Sequence, residues 1–389
     1  MNKTNLCIIP LLLVFGNSVA NDDHSAEDES SFKAPLVQQS LLLDINDGNS
    51  SIIVGERGHV LVNQKLSGND NKADDAGDGA AADNAADGTA NTATNSAITP
   101  AVINDGFTQV IVPTKATLTA VTSLGDKAWA VGHDASILGS QDAGQTWQLL
   151  QEAPELDRPF LDVHFFDPNE GIAVGAYGIF YRTEDGGVTW EQERHASVLS
   201  SDDKEYLDSI RDDEDFYLEE LAFISPHFNR LHDANGVLYM AGEAGLVASS
   251  TDKGRNWERL ELNYLGSFFD VAELPNKDIL AVGLRGNIFL LTEGDWVRLP
   301  SCITTSLNSV FIDDSKVYIA GNNGVILQLD MSKLDNSVSQ QTNSEGCAPH
   351  AAIAQIPTDF SDAISSAIIK QNVIIAATSA GLKTVELSQ

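Results

Sequence analysis

The sequence predicts an all-β protein, a seven-bladed β-propeller of four-stranded antiparallel blades. Three observations lead there. An apolar run ending in a small residue, then a short Gly-bearing turn, then a second apolar run recurs seven times along the 389 residues. An alternating strand precedes the copies, and several copies are followed by an Asp-Gly turn and a Trp-bearing strand. The first small residues of the turns are Gly55, Gly132, Gly175, Gly242, Gly283, Gly321 and Thr378. Their spacing gives a base period of about 40 residues, with insertions in the three longer intervals. Each copy reads as a hairpin flanked by two further strands. Such a unit cannot bury both faces alone, so copies stack radially into a ring.

Taken in order, residues 1–20 read as a secretory signal peptide, with Lys3 before an apolar stretch Leu6–Phe15 and a small-x-small site at Ser18-Val19-Ala20. Ten apolar residues are too few to span a bilayer, and cleavage after Ala20 is expected. No direct membrane insertion is expected thereafter. Residues 21–33 form an acidic leader expected to be disordered. The propeller occupies 34–389. Its hairpins are IIVGERGHVLV, WAVGHDASILG, IAVGAYGIFYR, YMAGEAGLVAS, LAVGLRGNIFL, YIAGNNGVILQ and IAATSAGLKTV. The preceding strands are LLLDI, LTAVTSL, FLDVHFF, FFDVAEL, LNSVFI and AISSAII. For the fourth copy the strand is unclear, within Leu221–Leu231. Insertions fall at 67–104, acidic and expected to be disordered, at 193–226, and at 330–350.

The formal net charge is −33, from 23 Lys and Arg against 56 Asp and Glu. It excludes phosphate-binding partners such as DNA or RNA, which need a clustered basic surface. Three segments carry more than half of it: 21–31 and 67–97 at −5 each, and 201–220 at −8. In the last, Tyr206, Leu207, Ile210, Phe216, Tyr217, Leu218 and Leu221 recur at roughly helical spacing. This predicts one short amphipathic helix with an acidic outer face.

The motifs SQDAGQTW, TEDGGVTW and STDKGRNW resemble the Asp-box of BNR-repeat propellers. Together with GERGHVLV, VPTKATLTAV, AGEAGLV, GSFFDV and AVGLRGNIF, the string of repeats resembles the photosystem II stability/assembly factor-like propellers, a family also present among exported bacterial proteins. The resemblance implies structural roles for Asp142, Asp185 and Asp252, capping their turns, and for Trp147, Trp190 and Trp257, packing between blades.

Ring closure is expected from residues 34–40, added as an outer strand of the last blade. In such a ring the Gly-bearing turns share one face with the blade-to-blade connections. Glu56, Arg57, His59, His133, Asp134, Tyr177, Glu243, Arg285, Asn322 and Asn323 then form a candidate partner-binding rim, with Arg57 and Arg285 able to pair with Glu56 or Glu243 or to bind a partner's carboxylate. The acidic helix falls on the same face. Cys302 and Cys347 are an even pair in an exported chain. A bridge and two free thiols both stay open, because the loop topology sets the pair on opposite faces and only the length of 330–350 lets them meet.

Catalytic motifs are missing: no HExxH, CxxC, GxSxG or P-loop occurs, and the arginine motif of sialidases is absent. No enzyme activity, cofactor or metal site is expected. The expected function is that of a non-catalytic periplasmic assembly, stability or accessory factor, monomeric, docking a protein client. By resemblance that client is part of an inner-membrane complex, an RND-type exporter being the first candidate. The alternative is a secreted glycoside hydrolase or carbohydrate-binding propeller, motivated by Tyr177, Tyr264, Phe268 and Phe269.

Overall fold

The computed structural model describes residues 30–64, 106–334 and 347–387. The expected signal peptide, most of the expected acidic leader and the 67–104 insertion lie outside them. Seven antiparallel sheets follow one another in chain order, six of four strands and one of three. The inner strands are Leu42–Asp47, Leu118–Leu124, Phe160–Phe165, Phe228–Ala234, Phe268–Glu273, Leu307–Asp313 and Ile364–Lys370. Each packs beside the next, and the seventh packs beside the first, which closes the ring around a central channel. Blade four's inner strand therefore starts at Phe228, and Leu221 belongs to a helix.

There is no single core. The second strands carry runs such as Ile52-Ile53-Val54 and Ala173-Val174 that are buried on both faces. Their side chains sort into seven apolar clusters, each shared by two adjacent blades. Stability is thus spread over seven similar interfaces, with burial of each large apolar side chain worth about 1.5–3 kcal/mol.

Closure differs from the expected outer strand. Among the described residues, blade seven has only Ile364–Lys370, Val373–Thr378 and Gly381–Glu386. Residues 37–39 form a single 3-10 turn instead, with Val37 buried between blades seven and one beside Ile375, Ala377 and Leu382. This segment passes over Gly381, where a Cβ would sit 1.3 Å from the Gln38 carbonyl oxygen. In the other blades the equivalent position faces the connection to the next blade; at Gly286 it meets Ile303 O. The N-terminal segment thus replaces the missing connection from blade seven to blade one, so its path is that of a loop. Upstream, Ser31 N–H donates to Val112 O and Gln109 holds the backbone at Phe32 and Ala34, tying the segment to blade one's outer edge.

Two further expectations are corrected or answered. The single acidic helix is a pair, α1 (Ser201–Ile210) and α2 (Glu214–Ile224). It packs on the blade-three turn Ala176–Gly178. Cys302 and Cys347 are joined by a disulfide, with their Cα atoms 5.6 Å apart. Nearby, His350 N–H donates to Pro300 O, where blades five and six adjoin.

Candidate functional site

The three Asp-boxes share one construction. Asp142 accepts from Thr146 N–H at 2.8 Å and from the Thr146 hydroxyl at 2.6 Å, while Ser140 Oγ accepts from Gly144 N–H. Thr183, Asp185 and Thr189 repeat this, and Ser250, Asp252 and Asn256 do so with an amide in place of the hydroxyl. Hydrogen bonds from Thr189 and Asn256 hold Asp185 and Asp252 down at about 2. Trp147 and Trp190 donate to the carbonyls of Gly144 and Gly187, and all three Trp rings pack in clusters between blades. Trp257 Nε1 has no hydrogen-bond partner among the described residues. These carboxylates are consumed by their own turns.

The Gly-bearing turns form one face, for a reason visible in the backbone. Glu56 N–H donates to Leu41 O at the entrance of its blade, and His133, Ala176, Glu243, Leu284, Asn322 and Ser379 make the same bond. That bond draws two backbones together. A Cβ at Gly55 would lie 2.2 Å from Leu41 O, and one at Gly283 2.1 Å from Ser267 O. Glycine is required there by contact, since both residues are extended.

The residue two positions on is left-handed in six of these seven turns: Arg57, Asp134, Tyr177, Ala244, Arg285 and Asn323 have φ between 52° and 61°. That conformation suits Asn and Asp but is disfavoured for Arg and Tyr. Arg57, Asp134, Tyr177, Arg285 and Asn323 are exposed at the apices, as is His133, whereas Glu243 and Asn322 are half-buried. Neither Arg57 nor Arg285 makes an ion pair among the described residues; Glu56 accepts from Leu41 N–H and Glu243 faces His227. Arg158 lies over the Tyr177 ring, which meets His227 edge-on. His59 is a correction. It is 2% exposed, with Phe32 against its ring and neither ring nitrogen hydrogen-bonded. Burial lowers its pKa, so it belongs beneath the rim. Phe268 is fully buried too, in the blade four–five cluster that Tyr264 packs against, so those rings offer no sugar platform.

The channel holds a second constellation. The third residue of each inner strand occupies an equivalent position, after a shift in strand register that recurs in all seven blades: Asp44, Ala120, Asp162, Arg230, Asp270, Ser309 and Ser366. Arg230 stands among three carboxylates, 3.7 Å from Asp44, 3.6 Å from Asp162 and 4.0 Å from Asp270. Each Asp also accepts a backbone N–H from the following blade: Val121, Leu231 and Val310. Burial pushes Asp162 and Asp270 up to about 6 against the pull of Arg230. Burial opposes the guanidinium charge, but the three carboxylates outweigh it and raise its pKa. The even blades complete the pattern with the neighbouring residue. Thr119, Asn229 and Asn308 donate to the carbonyls of Phe160, Phe268 and Ile364 in the following blade. The cavity here measures about 240 Å³. Among the described residues no group of three His, Cys, Asp or Glu side chains could hold a metal.

None of the channel residues stands out in the sequence as a site. FLDV and FFDV show the aligned Asp, but Arg230 lies in the strand whose start is ambiguous. The rim residues are brought to one face, though not into one pocket.

Residues 151–267 match the family model for photosynthesis system II assembly factor YCF48. The photosystem II assembly lipoprotein Ycf48 of Synechococcus sp. (strain CC9902) is 34% identical over 103 residues, 26% of this chain and 24% of that protein. The photosystem II assembly protein Ycf48 of Thermosynechococcus vestitus is 27% identical over 201 residues, 45% of this chain and 57% of that protein. The chain thus spans little more than half of these relatives at most. Among solved structures, YCF48 from Cyanidioschyzon merolae superposes with a TM-score of 0.57 at 16% identity, covering 91% of this chain and 97% of that one. YCF48 bound to D1 peptide gives 0.56 at 12%, covering 91% and 95%. The likeness read from the repeats stands: the chain is a seven-bladed propeller that resembles the photosystem II stability/assembly factor-like proteins.

Proposed function

We propose that the chain is a non-catalytic, exported accessory or assembly factor that docks a protein client on the face of the Gly-bearing turns. One observation carries this reading. Arg57, Tyr177 and Arg285 occupy left-handed apices that their side chains disfavour, exposed and, for the arginines, without an ion pair. Strained residues cluster at ligand clamps and other functional sites. In a chain of net charge −33, two free guanidinium groups on one face are suited to a carboxylate of a client, held bidentately. The relatives support a protein client, since one solved YCF48 is bound to a D1 peptide and the curated relatives are named assembly proteins. The lipoprotein names of relatives support export; the periplasm and a monomeric state are part of the proposal. An RND-type exporter gains no support from the geometry or from the relatives.

The carbohydrate reading, motivated by Tyr177, Tyr264, Phe268 and Phe269, meets a match of 72 residues, 33% identical, to an oligoxyloglucan-reducing end-specific xyloglucanase of Emericella nidulans, 9% of that enzyme's length. With Phe268 buried, it has little to stand on. The test is site-specific photo-cross-linking in cells. A photoreactive residue at Asn323 on the rim should give client adducts, and one at Val188 in the Asp-box turn on the opposite face should not. Adducts from both faces alike would sink the rim assignment.

A further inference from the structure

The helical pair adds a surface that the blades do not have. Ser200 caps α1 by accepting Asp203 N–H, and Asp213 caps α2 by accepting Phe216 N–H. Acidic residues in both first turns suit the positive ends of the helix dipoles. Leu199, Leu207 and Leu221, with Ile210, Tyr217 and Ile224, form a small apolar core separate from the seven blade interfaces. The pair is therefore a self-supported knob.

Its outer face is not simply polar. Phe216, Glu220 and Phe223 follow one another at four- and three-residue steps and share one stripe of α2. Tyr206 of α1 reaches the same stripe, its hydroxyl donating to Glu220 at 2.8 Å. Phe223 is 79% exposed and Phe216 and Tyr206 are each 41% exposed, although the knob has an apolar core that could have taken them in. α2 packs on the turn that carries Tyr177, itself 49% exposed. A cluster of exposed rings on a folded element marks a contact surface.

Charge selects the occupant. Residues 201–224 hold ten acids against Lys204 and Arg211, a net −8. The chain's own segments 21–31 and 67–97 carry −5 each and are repelled, and a second copy would present the same acidic face. Anionic lipid and nucleic acid are repelled for the same reason. We infer that the outer face of the α1–α2 pair docks a basic, amphipathic protein segment, its Lys or Arg side chains meeting the acids and its large apolar side chains covering Phe216, Phe223 and Tyr206. This goes beyond the rim reading and does not depend on it.

The test measures binding of a labelled helical peptide of Leu and Lys to the purified chain by fluorescence anisotropy, with the matching Leu and Glu peptide as control. The Lys peptide should bind and the Glu peptide should not. Phe216→Ser/Phe223→Ser keeps every charge and changes only exposed positions. It should melt with the wild type yet bind the Lys peptide at least tenfold more weakly. Asp215→Lys/Glu219→Lys should weaken binding and flatten its salt dependence. Arg57→Glu/Arg285→Glu should not weaken binding of the Lys peptide, which separates this surface from the rim. Equal binding of the Lys peptide to the wild type and the Phe216→Ser/Phe223→Ser chain would reduce the contact to diffuse attraction and overturn the inference, as would equal binding of the Glu peptide.

Discussion

Two sets of arginines divide the molecule. Arg230 sits in the channel with three carboxylates within 4.0 Å, on a strand whose neighbours it helps to hold. Arg57 and Arg285 sit at turn apices with no ion pair among the described residues. The first belongs to an enclosed site in which three carboxylates surround one cation, whose Nε has no hydrogen-bond partner among the described residues. The other two are exposed in strained conformations and have no carboxylate in ion-pair range among the described residues. A buried cation ringed by carboxylates of neighbouring blades speaks for assembly of the fold. An exposed one left unanswered, in a chain this acidic, speaks for a partner.

The comparison breaks most sharply at Arg230. Arg230→Met keeps the aliphatic stem and leaves Asp44, Asp162 and Asp270 facing one another without a cation. Removing one partner of a buried ion cluster costs about 3–5 kcal/mol, so urea unfolding near neutral pH should show a loss of that order. The loss should shrink at pH 5, where Asp162 and Asp270 can take up protons. A variant as stable as the wild type at neutral pH would mean that the channel charges do not couple the blades.

A second, smaller effect concerns the sign of the pH response. Asp162 and Asp270 titrate near 6 in the folded protein and lower when unfolded, so the folded state binds the extra protons. Their contribution is fully present below the unfolded carboxylate pKa and is lost as pH rises through about 6. Burial lowers the pKa of His59, His164, His195 and His232, and these work the other way, losing stability as pH falls through the histidine range. The whole-protein curve mixes both. The difference between the wild type and Asp162→Asn/Asp270→Asn isolates the carboxylates. The wild type should gain several degrees of melting temperature relative to the variant between pH 7.5 and pH 5. Parallel curves would show that the two carboxyls titrate normally.

How much of this was legible follows from what repetition makes visible. The blades were readable because the second strand is buried on both faces and its turn demands a small residue at a close backbone contact, so IIVG, WAVG and LAVG stand out. The Asp-box was readable because a short turn fixes the Asp, hydroxyl and Trp within eight residues. The channel was not. Its members are one residue per blade, 39 to 76 residues apart, and only their shared position after the register shift relates Asp162 to Arg230. The closure was half legible: residues 34–40 are expected to close the ring, but nothing in their pattern tells a loop that replaces a connection from an outer strand. His59 misled because sequence places it in the turn, while the backbone bond from His59 N–H to Glu56 O turns the chain inward there.

The smallest expected effect on stability is the most informative for the rim. Arg57→Glu and Arg285→Glu each replace one exposed side chain by another in the same left-handed conformation, with no ion pair lost. Each should change unfolding by no more than about 0.5 kcal/mol, the range of surface substitutions away from special features. Adduct formation from the photoreactive residue at Asn323 should nonetheless fall in the double variant, because the rim then repels the carboxylate it is built to hold. The two readouts must be taken together. A double variant that melts far below the wild type would place Arg57 and Arg285 with Arg230 as structural cations. One that melts normally and cross-links as before would leave the strained apices without a partner to explain them. Only normal melting with lost cross-linking keeps the two sets of arginines apart.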